Sequence, residues 1–156
     1  MLSKESLDRV KREVAKYPPE RKASAVMATL RIAQEEHGWL AVTLMDYVAE
    51  LLGMRPIQVY EVASFYSMYD LKPVGRHKIS VCTNISCMLC GSDAIVKHLE
   101  QRLGVKLGQT TADKKFTLKE VECLAACGGA PMLQIDKNYY ENLTPQKIDE
   151  ILAGLQ

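Results

Sequence analysis

The sequence has no apolar run approaching the length of a membrane span, no block of like charge, no internal repeat and no low-complexity tract. A spanning helix needs about 20 consecutive apolar residues, so none is expected. Lys and Arg number 20 against 19 Asp and Glu, a formal charge of +1, which leaves no electrostatic footprint for nucleic acid or an anionic membrane surface. There is no G-x-G-x-x-G and no phosphate loop, so binding of a dinucleotide by this chain itself is not expected. Met1-Leu2-Ser3-Lys4-Glu5 opens a polar helix pattern rather than the basic-then-apolar pattern of an export signal, and a soluble cytoplasmic location is the expectation. In that setting five cysteines, an odd number, read as thiols, metal ligands or redox groups rather than as a disulfide framework.

What is present suffices for a core: 47% of 156 residues are hydrophobic, a length suited to one ordinary domain or two small ones. Leu7, Val10, Val14 and Tyr17 mark an amphipathic helix that Pro18-Pro19 stops, because proline supplies no helical N–H. Val26, Leu30 and Ala33 carry a second helix between Glu20 and Glu36, ended at Gly38, with Trp39 and Leu40 packed into the joint. Leu44, Tyr47, Val48, Leu51 and Leu52 form the stripe of a third, with Thr43 as cap and Gly53 as stop. A fourth begins at Pro56 and runs through Val59, Val62, Ala63 and Tyr66.

Lys72-Pro73-Val74-Gly75 breaks this pattern. Beyond it, 77–82 alternates as a half-buried strand, 92–103 is helical, 116–123 and 132–135 read as strands, and a last helix starts at Pro145. Thr117-x-x-Glu120 would also suit a helix capping box. The expected class is α+β, with a helical bundle over residues 1–75 and a second domain over 76–156. Met27, Met45, Met54 and Met68 read mostly as gap-filling core. Tyr139 and Tyr140 suit a hairpin or packed edge.

Cys82, Cys87 and Cys90 sit at the end of one expected strand and Cys123 and Cys127 at the end of another, so both groups can meet at one end of a sheet. Four thiolates enclose a [2Fe-2S] cluster with two on each iron. Two ligand schemes fit: Cys82-x4-Cys87 with Cys123-x3-Cys127, or the plant-ferredoxin run Cys82-x4-Cys87-x2-Cys90 plus one later cysteine. Gly128-Gly129-Ala130-Pro131 after Cys127 favours the first, since small residues let backbone N–H groups approach cluster sulfurs. Two other chemistries stay open. Cys87-Met88-Leu89-Cys90 is a C-x-x-C at a strand-to-helix junction, where a helix end lowers a thiol pKa in dithiol oxidoreductases, and four thiolates also suit a structural zinc site. His37, His77 and His98 are scattered and read as surface or capping residues.

Val81-Cys82-Thr83-Asn84-x-x-Cys87-Met88-Leu89, Glu122-Cys123-Leu124-x-Ala126-Cys127 and Ala130-Pro131-Met132 resemble the E subunit of bacterial NADH:quinone oxidoreductase, respiratory complex I. Pro19-Glu20-Arg21, Ile57-Gln58-Val59-Tyr60-Glu61-Val62-Ala63-x-Phe65-Tyr66, Leu71-Lys72-Pro73-Val74-Gly75 and Tyr139-Tyr140-Glu141-Asn142-Leu143-Thr144-Pro145 extend the likeness over nearly the whole chain. The resemblance implies a thioredoxin-like second domain carrying one [2Fe-2S] cluster, ligated by Cys82, Cys87, Cys123 and Cys127. It implies an electron-transfer subunit of an NADH dehydrogenase, without turnover alone, whose cluster exchanges single electrons with a flavin. FMN and NAD would lie on the neighbouring F subunit, other peripheral-arm subunits would complete the contacts, and attachment to the inner face of the cell membrane would come through the complex. The equivalent subunit of an NAD-linked hydrogenase or formate dehydrogenase is the nearest alternative. The thioredoxin-like resemblance suggests a cis Pro131, against the trans default of X-Pro bonds. Two departures stand out: Cys90 occupies a position usually not cysteine, and Gly128-Gly129 replaces a more varied pair.

Overall fold

Ser3 opens the first helix: its hydroxyl accepts a hydrogen bond from the Ser6 N–H at 3.2 Å, satisfying one of the donors a helix start leaves orphaned. The structure is a computed structural model and describes residues 1–155. The chain divides between Pro73 and Val74 into two units, each with its own core, where the sequence pattern places the boundary at 75/76.

The first unit is helical: α1 (Lys4–Val14), α2 (Val26–His37), α3 (Val42–Leu52) and α4 (Pro56–Phe65). Helix α1 ends at Val14, short of the expected Tyr17, which is 41% exposed in the following turn; a residue preceding proline is pushed out of the α region, so the helix stops early. Residues Pro19–Ala25 form a 3₁₀ segment with Arg21 outside helical dihedrals, so the second helix begins at Val26 rather than near Glu20. Gly38 and Gly53 end α2 and α3 in the left-handed conformation expected of them. Thr43 is not a cap: Ala41 holds that position without a side-chain bond, and Thr43 lies inside the first turn. Leu30, Leu40, Val48, Leu52 and Val59 are fully buried, each worth about 1.5–3 kcal/mol of transfer free energy. Trp39 is only half-buried. Met45 is buried and Met27 and Met54 pack against this core, whereas Met68, in the turn past α4, is exposed.

The second unit holds β1 (His77–Cys82), α5 (Ile85–Leu89), α6 (Ser92–Leu103), β2 (Phe116–Val121), β3 (Leu133–Ile135), β4 (Asn138–Tyr140) and α7 (Pro145–Gly154). The sheet order is β2-β1-β3-β4. Strands β1 and β2 are parallel, paired from His77↔Phe116 to Cys82↔Val121, and α5 and α6 supply the crossover that a parallel pair requires. Strand β3 runs antiparallel to β1, and β3 and β4 make the hairpin expected around Tyr139 and Tyr140. Ile79, Val81, Leu118, Leu133 and Ile135 pack with Ile95 and Leu99 of α6 and Ile148 of α7.

The strand reading of Thr117 prevails over the capping-box reading. Its hydroxyl accepts the Gly75 N–H at 2.6 Å and pairs with the Thr110 hydroxyl at 2.8 Å. Gly75 is needed there, since a Cβ would stand 2.8 Å from the Phe116 carbonyl carbon. Strand β2 ends at Val121, two residues before Cys123, which leaves that cysteine on a loop. Among the described residues no helix is long and apolar enough to cross a membrane.

Candidate metal centre

Strand β1 ends on Cys82, whose Cα partner is the last residue of β2, and the Cys82 N–H donates to the Met132 carbonyl at 3.2 Å. Asn84 then starts the single-turn helix α5, its side-chain oxygen accepting the Ile85 N–H at 2.9 Å. That turn directs Cys87 inward while Ile85, Met88 and Leu89 stay exposed. Cys82 and Cys87 are 3% and 2% exposed and pack with Met132, Leu124, Ala126 and Ala130 as a small apolar cluster of their own.

Cys123 and Cys127 lie on the loop that leaves β2, and both are exposed. Ala125 between them has φ of +57°, a left-handed conformation that costs an L-residue about 1–2 kcal/mol, and its N–H donates to Cys123 Sγ at 3.3 Å. Residues Cys127–Gly129 form a 3₁₀ turn, and the Asn142 N–H donates to the Gly129 carbonyl at 2.7 Å. A Cβ on Gly129 would lie 2.5 Å from Glu141 Cβ, so the loop is seated against β4's continuation by the lack of a side chain. The Ala130–Pro131 bond is cis, and the Pro131 carbonyl accepts the Leu143 N–H at 3.0 Å. The Tyr139 hydroxyl donates to the Leu124 carbonyl at 3.1 Å.

The thiols feel one another. Burial works to raise the Cys82 pKa, but the Asn84 N–H, the Cys87 thiol, the Leu124 N–H and the Cys123 thiol outweigh it and hold Cys82 below the ordinary thiol value. Burial, then the Cys82 thiol, push Cys87 up to about 11, with the charge on Cys127 acting in the same sense. The interactions therefore link Cys82 to Cys87 and Cys123, and Cys87 to Cys127. Cys90 sits exposed at the C-cap of α5, its N–H bonded to the Ser86 carbonyl.

The histidines lie elsewhere in the bonding pattern: His77 pairs with Asp136 at 2.8 Å, His98 with Asp149 at 3.1 Å, and His37 with Glu36 at 3.7 Å. Among the described residues no three His, Cys, Asp or Glu side chains gather about a point as ligands of one metal ion. The fit to a two-iron cluster rests on donor chemistry. Soft thiols come from the β1 end with its α5 turn and from the loop after β2, an apolar wall excludes water from Cys82 and Cys87, and backbone N–H groups face the sulfurs of Cys82 and Cys123. Sequence reasoning missed Ala125, the Tyr139–Leu124 bond and the Gly129–Glu141 contact. Only the Gly-Gly pair carried any signal of them.

The profile of the family described as thioredoxin-like [2Fe-2S] ferredoxin matches residues 10–156. The E subunit of NADH-quinone oxidoreductase from Rickettsia conorii is 49% identical over 156 residues, 99% of this chain and 93% of that protein. An E subunit of NADH-quinone oxidoreductase from Rhizobium meliloti is 44% identical over 149 residues, 96% of this chain and 88% of that one. Among solved structures, the air-oxidized NAD⁺-reducing [NiFe]-hydrogenase aligns with a TM-score of 0.70 at 21% identity, covering 81% of this chain and 22% of that one, a likeness of fold.

Proposed function

This chain belongs to the thioredoxin-like [2Fe-2S] ferredoxin family, and from that premise we propose that it is the electron-transferring E subunit of an NADH-quinone oxidoreductase, holding one [2Fe-2S] cluster on Cys82, Cys87, Cys123 and Cys127. The observation that carries the reading is the meeting of two cysteine-bearing segments, the β1 end with α5 and the loop after β2, at the ends of these adjacent parallel strands. The E-subunit name borne by relatives at 49% and 44% identity supports it.

A bound [2Fe-2S] cluster supplies one-electron chemistry at a potential set by hydrogen bonding, charge and exposure. The chain's own part is to offer two thiolates to each iron, to keep water from the Cys82 and Cys87 side, and to aim N–H groups at sulfurs where negative charge grows on reduction. NADH yields two electrons together as hydride, which a flavin accepts, while a cluster takes one at a time. FMN and NAD are accordingly assigned to a partner, the F subunit, with this chain's cluster within electron-transfer reach of the flavin. The exposed Ile85, Met88 and Leu89 beside buried Cys87 offer an apolar rim for such a partner. Attachment to the inner face of a membrane would come through the other subunits.

A dithiol oxidoreductase built on Cys87 and Cys90 is not favoured: Cys90 is exposed, but both thiols must exchange with a disulfide in turn, and Cys87 is 2% exposed with its pKa pushed up to about 11. The equivalent subunit of an NAD-linked hydrogenase or formate dehydrogenase is not favoured, since relatives at 49% and 44% identity bear the E-subunit name and the hydrogenase likeness at 21% identity is one of fold alone. Anaerobic visible spectroscopy with iron, zinc and acid-labile sulfide analysis tests the proposal, followed by electron paramagnetic resonance after dithionite. The expected result is two irons and two sulfides per chain and a spin-one-half signal on reduction. Colourless, zinc-loaded or metal-free protein after anaerobic reconstitution would overturn it.

A further inference from the structure

The loop between Cys123 and Cys127 turns two successive backbone N–H groups toward sulfur. The Leu124 N–H acts on Cys82, and the Ala125 N–H donates to Cys123 Sγ at 3.3 Å. The second depends on the peptide unit joining Leu124 to Ala125, which is planar and holds its C=O and N–H at opposite ends. The C=O end of that unit is engaged: the Tyr139 hydroxyl, reaching from β4 across 15 residues of sequence, donates to the Leu124 carbonyl at 3.1 Å. One peptide plane therefore accepts from a tyrosine at one end and donates to a candidate ligand sulfur at the other.

We infer that Tyr139 is a positioning residue for the cluster: through the Leu124–Ala125 peptide it aims and strengthens the N–H that Ala125 donates to Cys123, and so raises the cluster's reduction potential. Hydrogen bonds in series polarise one another, so a donor at the carbonyl makes the N–H of the same unit a better donor. An N–H at sulfur favours the reduced, more negative state. The two bonds of this strap flank Ala125, whose left-handed conformation costs an L-residue about 1–2 kcal/mol. Tyr139 is 51% exposed, so its position is not explained by core packing. The inference rests on the proposed ligand set.

The test is a redox titration, monitored by visible spectrum and electron paramagnetic resonance, of the full chain with its cluster reconstituted. In Tyr139→Phe the iron and sulfide content should match the parent. The equilibrium constant for one-electron reduction should fall by up to about tenfold, the limit reached if the Ala125 bond to sulfur is lost outright, and tenfold corresponds to about 59 mV for one electron. Tyr140→Phe removes a hydroxyl from the neighbouring residue of the same strand and should titrate as the parent does. A second probe, 3-fluorotyrosine at position 139, has a more acidic and stronger donor; at a pH where its phenol stays protonated it should move the potential the other way. Should Tyr139→Phe fail to hold a cluster, the fluorinated protein decides. An unchanged potential in Tyr139→Phe, or in the fluorinated protein where that one decides, would overturn the inference, as would an equal shift in Tyr140→Phe. A parent chain that takes up no [2Fe-2S] cluster at all would refute the ligand reading instead, and that failure is visible before any variant is titrated.

Discussion

The two cysteine pairs are built in different ways. Cys82 and Cys87 belong to the scaffold: one is the last residue of a central strand, the other faces inward from a capped helical turn, and both are buried against Met132. Cys123 and Cys127 belong to an exposed loop that keeps its shape through a left-handed alanine, a glycine pressed on Glu141 and one tyrosine hydroxyl. The difference teaches that a site can be half core and half clamp. The buried pair is held by the same packing that holds the sheet, and the exposed pair by a few polar and steric contacts.

Removing one thiol from each pair gives the largest effects. Cys82→Ser and Cys127→Ser should both lose the cluster or hold it badly, measured as iron and sulfide per chain after reconstitution. They should part company in the metal-free protein. Cys82→Ser exchanges a buried sulfur packed against Met132 for a smaller, more polar oxygen that keeps hydrogen-bond partners in the Asn84 and Leu124 N–H groups, and should lower stability by about 1 kcal/mol, whereas Cys127→Ser changes an exposed atom and should stay within about 0.5 kcal/mol. Equal losses in urea unfolding of the two metal-free variants would erase the distinction between core and clamp.

The next largest effect falls on the clamp itself. Gly129→Ala puts a Cβ 2.5 Å from Glu141 Cβ and should cost about 1–3 kcal/mol by overpacking, with slower cluster uptake. Its neighbour Gly128 has nothing within 4 Å of an added Cβ, and Gly128→Ala should lie within about 0.5 kcal/mol of the parent. Thermal melts of the pair measure the contrast. A similar cost at both positions would mean that the Gly-Gly pair acts through backbone freedom rather than through the seat against Glu141.

The scaffold half of the site was legible in the sequence and the clamp half was not. Helices α4, α6 and α7 and strand β1 begin where the pattern says, because proline at a first turn, periodic apolar residues and alternating burial are local signals. The shortened α1 and the 3₁₀ segment at Pro19–Ala25 escaped it, since the apolar spacing continues through a stretch that the prolines deny to a helix. Helix α5 is only five residues long, below the length at which periodicity speaks. The left-handed Ala125 escaped for a different reason. Alanine carries no signal for positive φ, and the contacts on either side of it come from Tyr139 and the cysteine sulfur, joined by the fold alone.

Ala125 also supplies a smaller test. Ala125→Gly relieves a left-handed penalty of about 1–2 kcal/mol while adding about 0.5–1 kcal/mol of chain entropy cost. Metal-free Ala125→Gly should therefore be at least as stable as the parent, by up to about 1.5 kcal/mol in denaturant unfolding. A loss of stability would show that the alanine methyl packs in a way that outweighs its strained backbone, making this half of the site more like the buried half.

The smallest expected effect belongs to Cys90, and it decides between the ligand schemes. The plant-ferredoxin run needs Cys90 together with Cys82 and Cys87, yet Cys90 closes α5 as an exposed C-cap, while the thiol interactions run from Cys82 to Cys87 and Cys123 and from Cys87 to Cys127. Cys90→Ser keeps size and polarity at an exposed position, so stability should change by less than about 0.5 kcal/mol, and iron, sulfide and the reduced spin signal should match the parent. Loss of the cluster in Cys90→Ser, with retention in Cys127→Ser, would transfer the fourth ligand from the clamp to α5. The exposed loop would then be a cover over a site held mostly by the scaffold, and the comparison of two unlike pairs would have to be redrawn as three cysteines on one loop and one on another.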